Sequence, residues 1–418
     1  MRPHVVIIGG GFAGLHAARA LRDAPVEVTL VDRTNHHVFQ PLLYQVANTS
    51  LAPSDIAAPI RWILRAQRNA TVLLGDVIGV APAARAVEVA GQGAIDYDAL
   101  IVATGARHAY FGHDPWEAHA PGLKTLEDAL DMRQRMLLAF ERAEWTADDA
   151  ERRALLTFVI VGGGPTGVEL AGTLPEFARV ALRPDFRRFD AGTAHVVLVE
   201  GGARLLPAFP ERVSATARRD LERLGVEVRT GKPVTEVSAD GVTMGSEHIA
   251  ARTVFWAAGN VASPLGRALG VPLDRAGRVL VADDLSVPGH PEIFVAGDLA
   301  AVRWDADRWV PGVAPAAMQM GRLAGSNASR LLGGVATTPF RYLNKGELAT
   351  IGRNKAVAVF GPRIAFTGRP AWFLWLFVHI MYLVGFRNRL SVLLQWAYAY
   401  FTFQRGVRLV TPPVAPSA

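Results

Sequence analysis

Two glycine-rich stretches with the same pattern constrain this chain more than any other feature. VVIIGGGFAGLHAARALRDAPVEVTLVD lies near its start, and FVIVGGGPTGVELAG begins at Phe158. In both, an apolar segment without polar alternation leads into glycines and then into a helical pattern, which is typical of a parallel strand buried on both faces. The first repeat predicts a strand over His4–Ile8, a helix over 13–21 and a strand over 26–31. The second predicts 155–161, 165–182 and 195–199 in the same order, so the sequence predicts two βαβ units.

The first glycine loop, Gly9-Gly10-Gly11-Phe12-Ala13-Gly14, has the spacing of a dinucleotide-binding turn. Its first glycine suits the tight turn, its second lets the backbone approach a pyrophosphate, and its third allows close helix packing. The helix N-terminus then faces the phosphates. Asp32 ends the next strand, where a carboxylate can accept hydrogen bonds from ribose hydroxyls. A purely structural turn is the alternative, and the complete strand, loop, helix and acid pattern disfavours it.

The second glycine loop, Gly162-Gly163-Gly164-Pro165-Thr166-Gly167, places Pro165 near the helix start, where its missing N–H is not needed. Its acid is Glu200, which lies further from the loop than usual because RPDFRRFDAGTA is inserted after the helix. A carboxylate at that position repels a 2′-phosphate, which favours NADH over NADPH, although the nearby Arg204 leaves this open. Two such loops imply a resident FAD and an exchanging NADH, with hydride passing from nicotinamide to flavin.

Two later stretches fit the first unit. YDALIVATGARH and EIFVAGDLA each read as a strand that runs into a turn, at Thr104-Gly105 and at Gly297-Asp298. A chain of 418 residues is also long for one core. We therefore predict an α/β fold with two Rossmann-like dinucleotide-binding domains, the NADH domain inserted into the FAD domain, and a C-terminal membrane-associated segment. The predicted boundaries are 1–122 and 260–338 for the FAD domain, 123–259 for the NADH domain and 339–418 for the C-terminal domain with amphipathic membrane-anchoring helices.

The absence of cysteine excludes disulfides, thiolate metal sites and redox-active cysteine pairs. The chemistry of disulfide reductases and of sulfide:quinone reductases is thereby excluded. The adjacent His36 and His37 read as structural, since no third ligand has suitable spacing, and we predict no metal. The first residues run straight into a strand without the pattern of a signal peptide, so we expect the protein not to be exported.

The C-terminal segment differs in composition from the rest. From Leu348 onward it has no Asp or Glu, and its basic residues are Arg353, Lys355, Arg363, Arg369, Arg387, Arg389, Arg405 and Arg408. The formal charge is +6 for the whole chain. AWFLWLFVHIMYLVGF and LSVLLQWAYAYFTF, separated by RNR, are each short for a bilayer span of about 20 residues. Two short aromatic helices flanked by arginine favour an element lying in the membrane interface, and a buried dimer or domain interface is the alternative.

Several stretches together are more specific: NHHVFQPLLYQVA, TGARHAYFGHDPW, FVIVGGGPTGVELAG, DFRRFD, VPGVAPAAMQMGR and GELATIGRNKAVA. Over nearly its whole length the chain resembles the type II (alternative) NADH:quinone oxidoreductases, single-chain flavoproteins of the superfamily with two dinucleotide-binding domains. The resemblance implies tightly bound FAD, NADH as substrate, a membrane quinone as partner and peripheral or monotopic attachment without proton pumping. It further implies the cytoplasmic face of the cell membrane and leaves a homodimer open.

The resemblance also carries candidate site residues. For FAD they are Gly9, Gly11, Ala13, Gly14, Asp32, Arg33, Gln40, Val77, Thr104, Gly105, Asp298 and Ala316. For NADH they are Gly162, Gly164, Pro165, Gly167, Glu200 and Gly259. Glu169, expected in the first turn of its helix, matches a carboxylate near the nicotinamide that influences proton movement, and favourable placement at a helix N-terminus is the alternative. Gln319 matches a glutamine at the quinone end of the flavin, while Ala314-Pro315 departs from the Ala-Gln of many relatives.

The implied mechanism is ping-pong: NADH reduces the flavin, and quinone then takes two electrons from it. A soluble NADH:ferredoxin-type reductase remains as an alternative but gives no reason for an apolar, basic tail. A non-catalytic flavin-bound redox sensor, or a protein that binds nucleic acid through its basic end, is the rival from another class. Because that end interleaves arginine with long apolar runs, we predict no nucleic-acid partner.

Overall fold

The computed structural model describes residues 2–361, 364–402 and 407–410. Arg363, Arg405 and Phe403, which belong to the basic and apolar patterns of the tail, lie outside the described residues. Contacts divide the chain into two compact units. The first unit comprises 1–38, 57–107 and 260–345, and the second comprises 39–56, 108–259 and 346–418. The four predicted segments, with their three boundaries, stay a proposal beside this division.

The core of the first unit is a largely parallel sheet. Its strands, in spatial order, are Ser286–Val287, His290–Val295, Ala99–Val102, His4–Ile8, Glu27–Asp32 and Ala70–Leu74. Only the first two neighbours are antiparallel. The central strands are buried along nearly their whole length, because their valines, isoleucines and leucines point alternately to two covered faces.

Helices and shorter strands complete the first unit around this sheet. Helices Phe12–Ala20 and Ala314–Leu332 pack against each other through glycine, since a Cβ at Gly321 would lie 2.0 Å from the carbonyl oxygen of Ala13. The remaining strands are His36–Val38, Ala57–Pro59, Val77–Ala81, Ala86–Val89, Gly93–Asp96, Asn260–Ala262, Val279–Leu280 and Ala300–Ala301. The remaining helices are Ile60–Leu64 and Leu265–Ala268, with 3-10 turns at Pro82–Ala84 and Gly297–Leu299. Strand Ala106–His108 runs across the division between the units.

The second unit repeats the topology of the first. Its parallel sheet has the order Val226–Thr230, His195–Glu200, Thr157–Val161 and Thr253–Trp256. In both units the strand before the glycine loop lies in the middle of the parallel sheet, next to the strand that follows the loop's helix. Its other neighbour, Ala99–Val102 in the first unit and Thr253–Trp256 in the second, comes directly after an antiparallel meander in the chain. The meander of the second unit is Glu236–Ser238, Gly241–Met244 and Glu247–Ala250. The predicted α/β fold with two dinucleotide-binding sheets, one inserted into the other along the chain, is confirmed.

Two predicted bounds in the second repeat are wrong. Leu155 ends the helix Asp149–Leu155, and the strand begins only at Thr157. The α-helix after the glycine loop is Pro165–Glu176, followed by a π-helical turn, Phe177–Leu182. Pro175 explains the change, because a proline inside a helix has no N–H for the carbonyl four residues back and its ring crowds that carbonyl.

Segment 39–56 and the C-terminal part pack within the second unit. Arg133, on helix Leu126–Trp145, donates from Nε to the Val46 carbonyl at 2.7 Å and from Nη2 to the Leu51 carbonyl at 2.8 Å. The C-terminal part contains the antiparallel strands Glu347–Thr350, Ala356–Phe360 and Ile364–Gly368, and helices Arg369–Tyr382 and Phe386–Thr402. The remaining helices are Leu43–Ala47, Pro53–Ile56 and Glu211–Arg223, with 3-10 turns at Gln40–Leu42, Asp114–Ala118 and Ala191–Thr193.

Candidate active site

The first glycine loop is held tightly at two positions and is open at a third. Gly9 has φ +99°, and a Cβ there would lie 2.5 Å from the Ala103 carbonyl oxygen. A Cβ at Gly14 would lie 1.7 Å from the Gly9 carbonyl oxygen. A Cβ at Gly11, the residue that precedes helix Phe12–Ala20, would meet nothing within 4 Å. The loop thus has the open space that a pyrophosphate needs in front of a helix N-terminus.

Asp32 is tied to this loop. Its Oδ2 accepts a hydrogen bond from the Gly10 N–H at 2.5 Å, and its Oδ1 accepts from the Thr34 N–H at 2.7 Å and the Thr34 hydroxyl at 2.8 Å. The carboxylate therefore fixes the loop to the end of the second strand. Each carboxylate oxygen can accept more than one hydrogen bond, so the same group can also accept from a ribose.

Two other predicted flavin positions lie at the same edge of the first sheet. The strands Ala99–Val102 and His290–Val295 run parallel to His4–Ile8, so the turns that follow them lie beside the glycine loop. Thr104 follows the first of these strands, and its buried hydroxyl has no hydrogen-bond partner among the described residues. Asp298 follows the second, half-buried in the turn after Gly297. The carboxyl ends of parallel strands are where α/β sheets bind ligands.

The other flavin candidates are more dispersed. Ala13 and Ala316 are buried on the two packed helices, Arg33 is exposed after Asp32, and Val77 begins its strand half-buried. Gln40 belongs to the second unit, where its Nε2 donates to the Lys124 carbonyl at 3.1 Å. Gly105 has φ +68° with open space at its Cβ position.

The second glycine loop repeats the geometry of the first. Gly162 has φ +116°, and a Cβ at Gly167 would lie 1.8 Å from the Gly162 carbonyl oxygen. A Cβ at Gly164, which precedes Pro165 at the helix start, would meet nothing within 4 Å. Glu200 accepts from the Gly163 N–H at 2.6 Å and from the Gly202 N–H at 2.6 Å, as Asp32 does in the first loop. Gly259, with φ +70°, follows the strand Thr253–Trp256 at the same edge of the sheet.

Glu169 lies deeper in its helix than expected. The helix begins at Pro165, so Glu169 is beyond the first turn, and the alternative role at the helix N-terminus is wrong. Its side chain is buried, with the residue 8 % exposed, and the Thr350 N–H donates to its Oε1 at 3.4 Å. Burial raises the pKa of the Glu169 carboxyl to about 8, although Thr350 and Trp375 oppose the shift. The protonated form therefore predominates at neutral pH.

The C-terminal part brings Thr350 to Glu169 through a close backbone approach. A Cβ at Gly172, one helical turn beyond Glu169, would lie 2.8 Å from the Gly352 nitrogen. Gly352, with φ +70°, lies in the turn after strand Glu347–Thr350. Glycine at both positions thus allows the hairpin to lie directly on the helix.

Trp375 and His379 are site neighbours that the sequence did not single out. The indole N–H of Trp375 is buried near the Glu169 carboxyl, but no acceptor among the described residues has good hydrogen-bond geometry with it. His379 stacks on Trp375 with ring centroids 4.2 Å apart, and Phe39 meets its edge at 6.2 Å. Burial lowers the pKa of His379 to about 4. The interruption of an apolar run by one histidine, four residues after a tryptophan, was the signal available in the sequence.

Gln319 uses its amide within the first unit. Its Nε2 donates to the carbonyls of Pro315 and Leu343, both at 3.0 Å, and its Oε1 accepts from the Leu343 N–H at 3.0 Å. Both amide hydrogens are therefore engaged, and donation to a quinone carbonyl requires one of these bonds to be exchanged. Within the described ranges, no group of three or more His, Asp or Glu side chains has the arrangement of a metal site.

The paired loops and their acids define an oxidoreductase that binds both a flavin and a pyridine nucleotide. A family model described as "Pyridine nucleotide-disulphide oxidoreductase" matches residues 3–321, and one described as "NDH2 C-terminal domain" matches residues 344–405. Type II NADH:quinone oxidoreductase Ndh of Mycobacterium tuberculosis is 44 % identical over 425 residues, covering 98 % of this chain and 90 % of that relative. This chain belongs to the family of type II NADH:quinone oxidoreductases.

Solved structures show the same fold. NDH2 from Plasmodium falciparum in complex with NADH has a TM-score of 0.87 at 20 % identity, covering 97 % of this chain and 100 % of that one. The sulfide:quinone oxidoreductase of Aquifex aeolicus has a TM-score of 0.74 at 18 % identity, covering 93 % and 92 %. At these identities the likeness concerns the fold alone.

Proposed function

We propose that this protein oxidises NADH through bound FAD and reduces a membrane quinone by two electrons, without pumping protons. The duplicated glycine loop carries the proposal. Each copy has open space at the glycine before its helix, Gly11 or Gly164, and in each the N–H of the glycine before that one donates to the acid at the strand end. One site for a resident dinucleotide and one for an exchanging dinucleotide are what hydride transfer between two cofactors requires.

The first loop fits FAD. The open space at Gly11 accommodates a pyrophosphate at the N-terminus of helix Phe12–Ala20, and Asp32 stands where the ribose of the adenosine would lie. The Thr104 hydroxyl, which has no hydrogen-bond partner among the described residues, and the Asp298 carboxylate lie at the carboxyl ends of neighbouring strands, where they would contact the rest of the cofactor. Bound FAD would supply the two-electron centre that connects NADH oxidation to quinone reduction.

The second loop fits NADH. Gly164 offers the corresponding open space, and Glu200 stands at the ribose position. Both carboxylate oxygens of Glu200 already accept backbone N–H groups, so the side chain is held in place. A fixed negative charge there repels the 2′-phosphate of NADPH, and we propose a preference for NADH.

Glu169 is the proposed proton-handling group of the second unit. Reduction of a quinone to a quinol by NADH takes up one proton from solution, in addition to the hydride that NADH delivers. Glu169 holds a proton on its carboxyl at neutral pH, since burial raises its pKa to about 8. The Thr350 N–H and the Trp375 indole both favour its ionised form, so the group can release that proton and be reprotonated.

Two half-reactions test the proposed function. Purified flavoprotein is reduced anaerobically with one equivalent of NADH, a short-chain quinone is added, and flavin absorbance is followed. Bleaching by NADH and rapid recovery on addition of quinone are expected. Bleaching without recovery would contradict quinone as the second substrate, and ferredoxin would then be tried. Absence of bleaching would contradict the oxidation of NADH.

The C-terminal helices carry the proposed lipid contact. Their inner faces are held by the second unit, with the Trp396 indole donating to Gln45 Oε1 at 2.7 Å and the Ser391 hydroxyl donating to Asp55 Oδ1 at 3.0 Å. Their outer faces expose large apolar side chains at helical spacing: Phe373, Phe377 and Met381 on one helix and Leu390, Leu394, Tyr398 and Phe401 on the other. Among the described residues, no helix is long and apolar enough to cross a membrane.

This apolar face, flanked by arginine in a segment without acidic residues, suits the interface of a bilayer that contains anionic lipid. We place the protein on the cytoplasmic face of the cell membrane, where NADH is available. A homodimer through the same helices is the competing occupant of this face, and it would bury the same side chains.

A flotation assay separates the two. Vesicles of phosphatidylcholine with phosphatidylglycerol are mixed with the parent, with the Phe377→Ser/Phe401→Ser double variant, and with Trp145→Ser as a control. Trp145 is 82 % exposed but lies on a helix outside the tail. The double variant is expected to lose most of its binding, while the control floats like the parent. Equal flotation of all three proteins, or a parent dimer that the double variant turns into a monomer without changing flotation, would overturn the lipid assignment.

A further inference from the structure

His37 is a buried histidine that contacts the first glycine loop. It lies on the strand His36–Val38 and is 2 % exposed, and its Nδ1 is 3.0 Å from the Gly10 carbonyl oxygen. The ring meets Phe12 edge to face, with centroids 5.0 Å apart. Since a carbonyl oxygen only accepts hydrogen bonds, Nδ1 must carry the hydrogen in this contact. Burial lowers the pKa of His37 to about 4, so the ring is neutral at physiological pH.

The Gly10 carbonyl belongs to the peptide group that it shares with the Gly11 nitrogen. In a planar trans peptide the C=O and the N–H point in opposite directions. A hydrogen bond that orients the Gly10 carbonyl therefore also orients the Gly11 N–H, directing it away from His37. Gly11 is the position where the loop is open, with nothing within 4 Å of a Cβ.

In the second glycine loop a backbone N–H holds the corresponding carbonyl. Gly163 corresponds to Gly10, and its carbonyl accepts from the Leu206 N–H at 2.8 Å. In both loops the N–H of this middle glycine donates to the acid at the strand end. The two loops thus hold their middle glycine from both sides, but only the first depends on a side chain for the carbonyl.

We propose that His37 is a positioning residue for FAD: its Nδ1–H holds the Gly10 carbonyl so that the Gly11 N–H is aimed at the pyrophosphate. NADH binding at the second loop has no such dependence, because Leu206 supplies its donor from the backbone. The inference rests on the proposed function only in that FAD occupies the first loop.

Three variants separate the hydrogen bond from packing. In His37→Asn, the side-chain amide can place an N–H near the position of Nδ1. His37→Leu keeps apolar volume without a donor, and His36→Asn on the same strand is the control. Each protein is purified with its flavin, stripped and retitrated with FAD, and the dissociation constant is measured by quenching of flavin fluorescence. Melting of the stripped protein and NADH affinity are measured in parallel.

A roughly tenfold rise in the FAD dissociation constant is expected for His37→Leu, from loss of one buried hydrogen bond and an unpaired carbonyl. His37→Asn and the control should remain within about twofold of the parent, with NADH affinity unchanged throughout. Parent-like FAD binding in His37→Leu, or equal loss in the Leu and Asn variants, would overturn the proposal. A parent that binds no FAD would instead contradict the proposed function.

A measurement on the unmodified holoenzyme keeps the proposal testable if His37→Leu does not fold. Selective ¹⁵N labelling of histidine, with the His37 signals assigned by their loss in His37→Asn, reports which ring nitrogen carries the hydrogen. The Nδ1–H tautomer is expected from the contact with the Gly10 carbonyl. The Nε2–H tautomer would refute the role, because Nδ1 could then not donate.

Discussion

Replacing Glu169 by glutamine should remove a pH dependence of stability that this one side chain imposes. Burial raises the pKa of Glu169 from 4.5 to about 8 in the folded protein. Between these values the folded protein keeps a proton that the unfolded chain has lost. The contribution of Glu169 to the stability is therefore largest below pH 4.5, falls as pH rises toward 8, and is constant above it.

The size of the effect follows from the span of the two pKa values. Each pKa unit corresponds to about 1.36 kcal/mol, so the full loss between pH 4.5 and pH 8 is of the order of 5 kcal/mol. Glutamine has nearly the same shape and does not titrate. For a cooperative unit of roughly 150–250 residues, each kcal/mol shifts Tm by about 2–4 °C. The Tm of Glu169→Gln relative to the parent should therefore rise by about 10 °C between pH 5 and pH 9.

The assay is thermal melting of the FAD-loaded protein across that pH range. The parent, Glu169→Gln and the control Glu141→Gln are compared, since Glu141 is exposed on helix Leu126–Trp145. Any difference between an amide and a protonated carboxyl in the site gives a constant offset, whereas ionisation gives a difference that grows with pH. A Tm difference between Glu169→Gln and the parent that stays constant, or that shrinks as pH rises, would refute the reasoning.

Three further substitutions test the first unit. Gly14→Ala puts a Cβ 1.7 Å from the Gly9 carbonyl oxygen, so loss of bound flavin together with a Tm reduced in the stripped protein is expected. The added methyl of Gly11→Ala meets no protein atom within 4 Å but fills the space proposed for the pyrophosphate, so FAD binding should weaken while the stripped protein melts like the parent. Equal melting temperatures of the two stripped variants would contradict these contacts. Gln319→Ala should slow flavin reoxidation by quinone and spare reduction by NADH, because the amide that holds Leu343 is lost. Stopped-flow traces with unchanged reoxidation would remove Gln319 from the quinone step.

Much of the fold could be read from local patterns. The two glycine loops, their helices and the acids that end the following strands all depend on residues close together in the chain, and strand His4–Ile8 has the predicted bounds. One error arose where a single residue changed local geometry, as Pro175 did by ending the α-helix before the π-helical turn. Glu200 lies further from its glycine loop than is usual, but it could still be picked out as the acid of that loop because it ends a strand.

The environment of Glu169 could not be read in this way. Burial raises its pKa, and Thr350 and Trp375, which both lie far along the chain, oppose the shift. Thr350 approaches the carboxyl because the hairpin that carries it lies on the helix at Gly172. The same holds for Gln319, whose partner Leu343 has no sequence pattern that marks it.

The sequence by itself determined which residues could bind dinucleotides, because turn geometry, helix start and strand end follow from short-range steric and hydrogen-bonding rules. Only the tertiary structure decided how those groups are held and charged. Packing between segments that are separate in the chain brings His37 to the Gly10 carbonyl and buries the Glu169 carboxyl away from solvent. Burial and hydrogen-bond partners are properties of the folded surroundings, and they shift the pKa of a side chain away from the value that its identity gives.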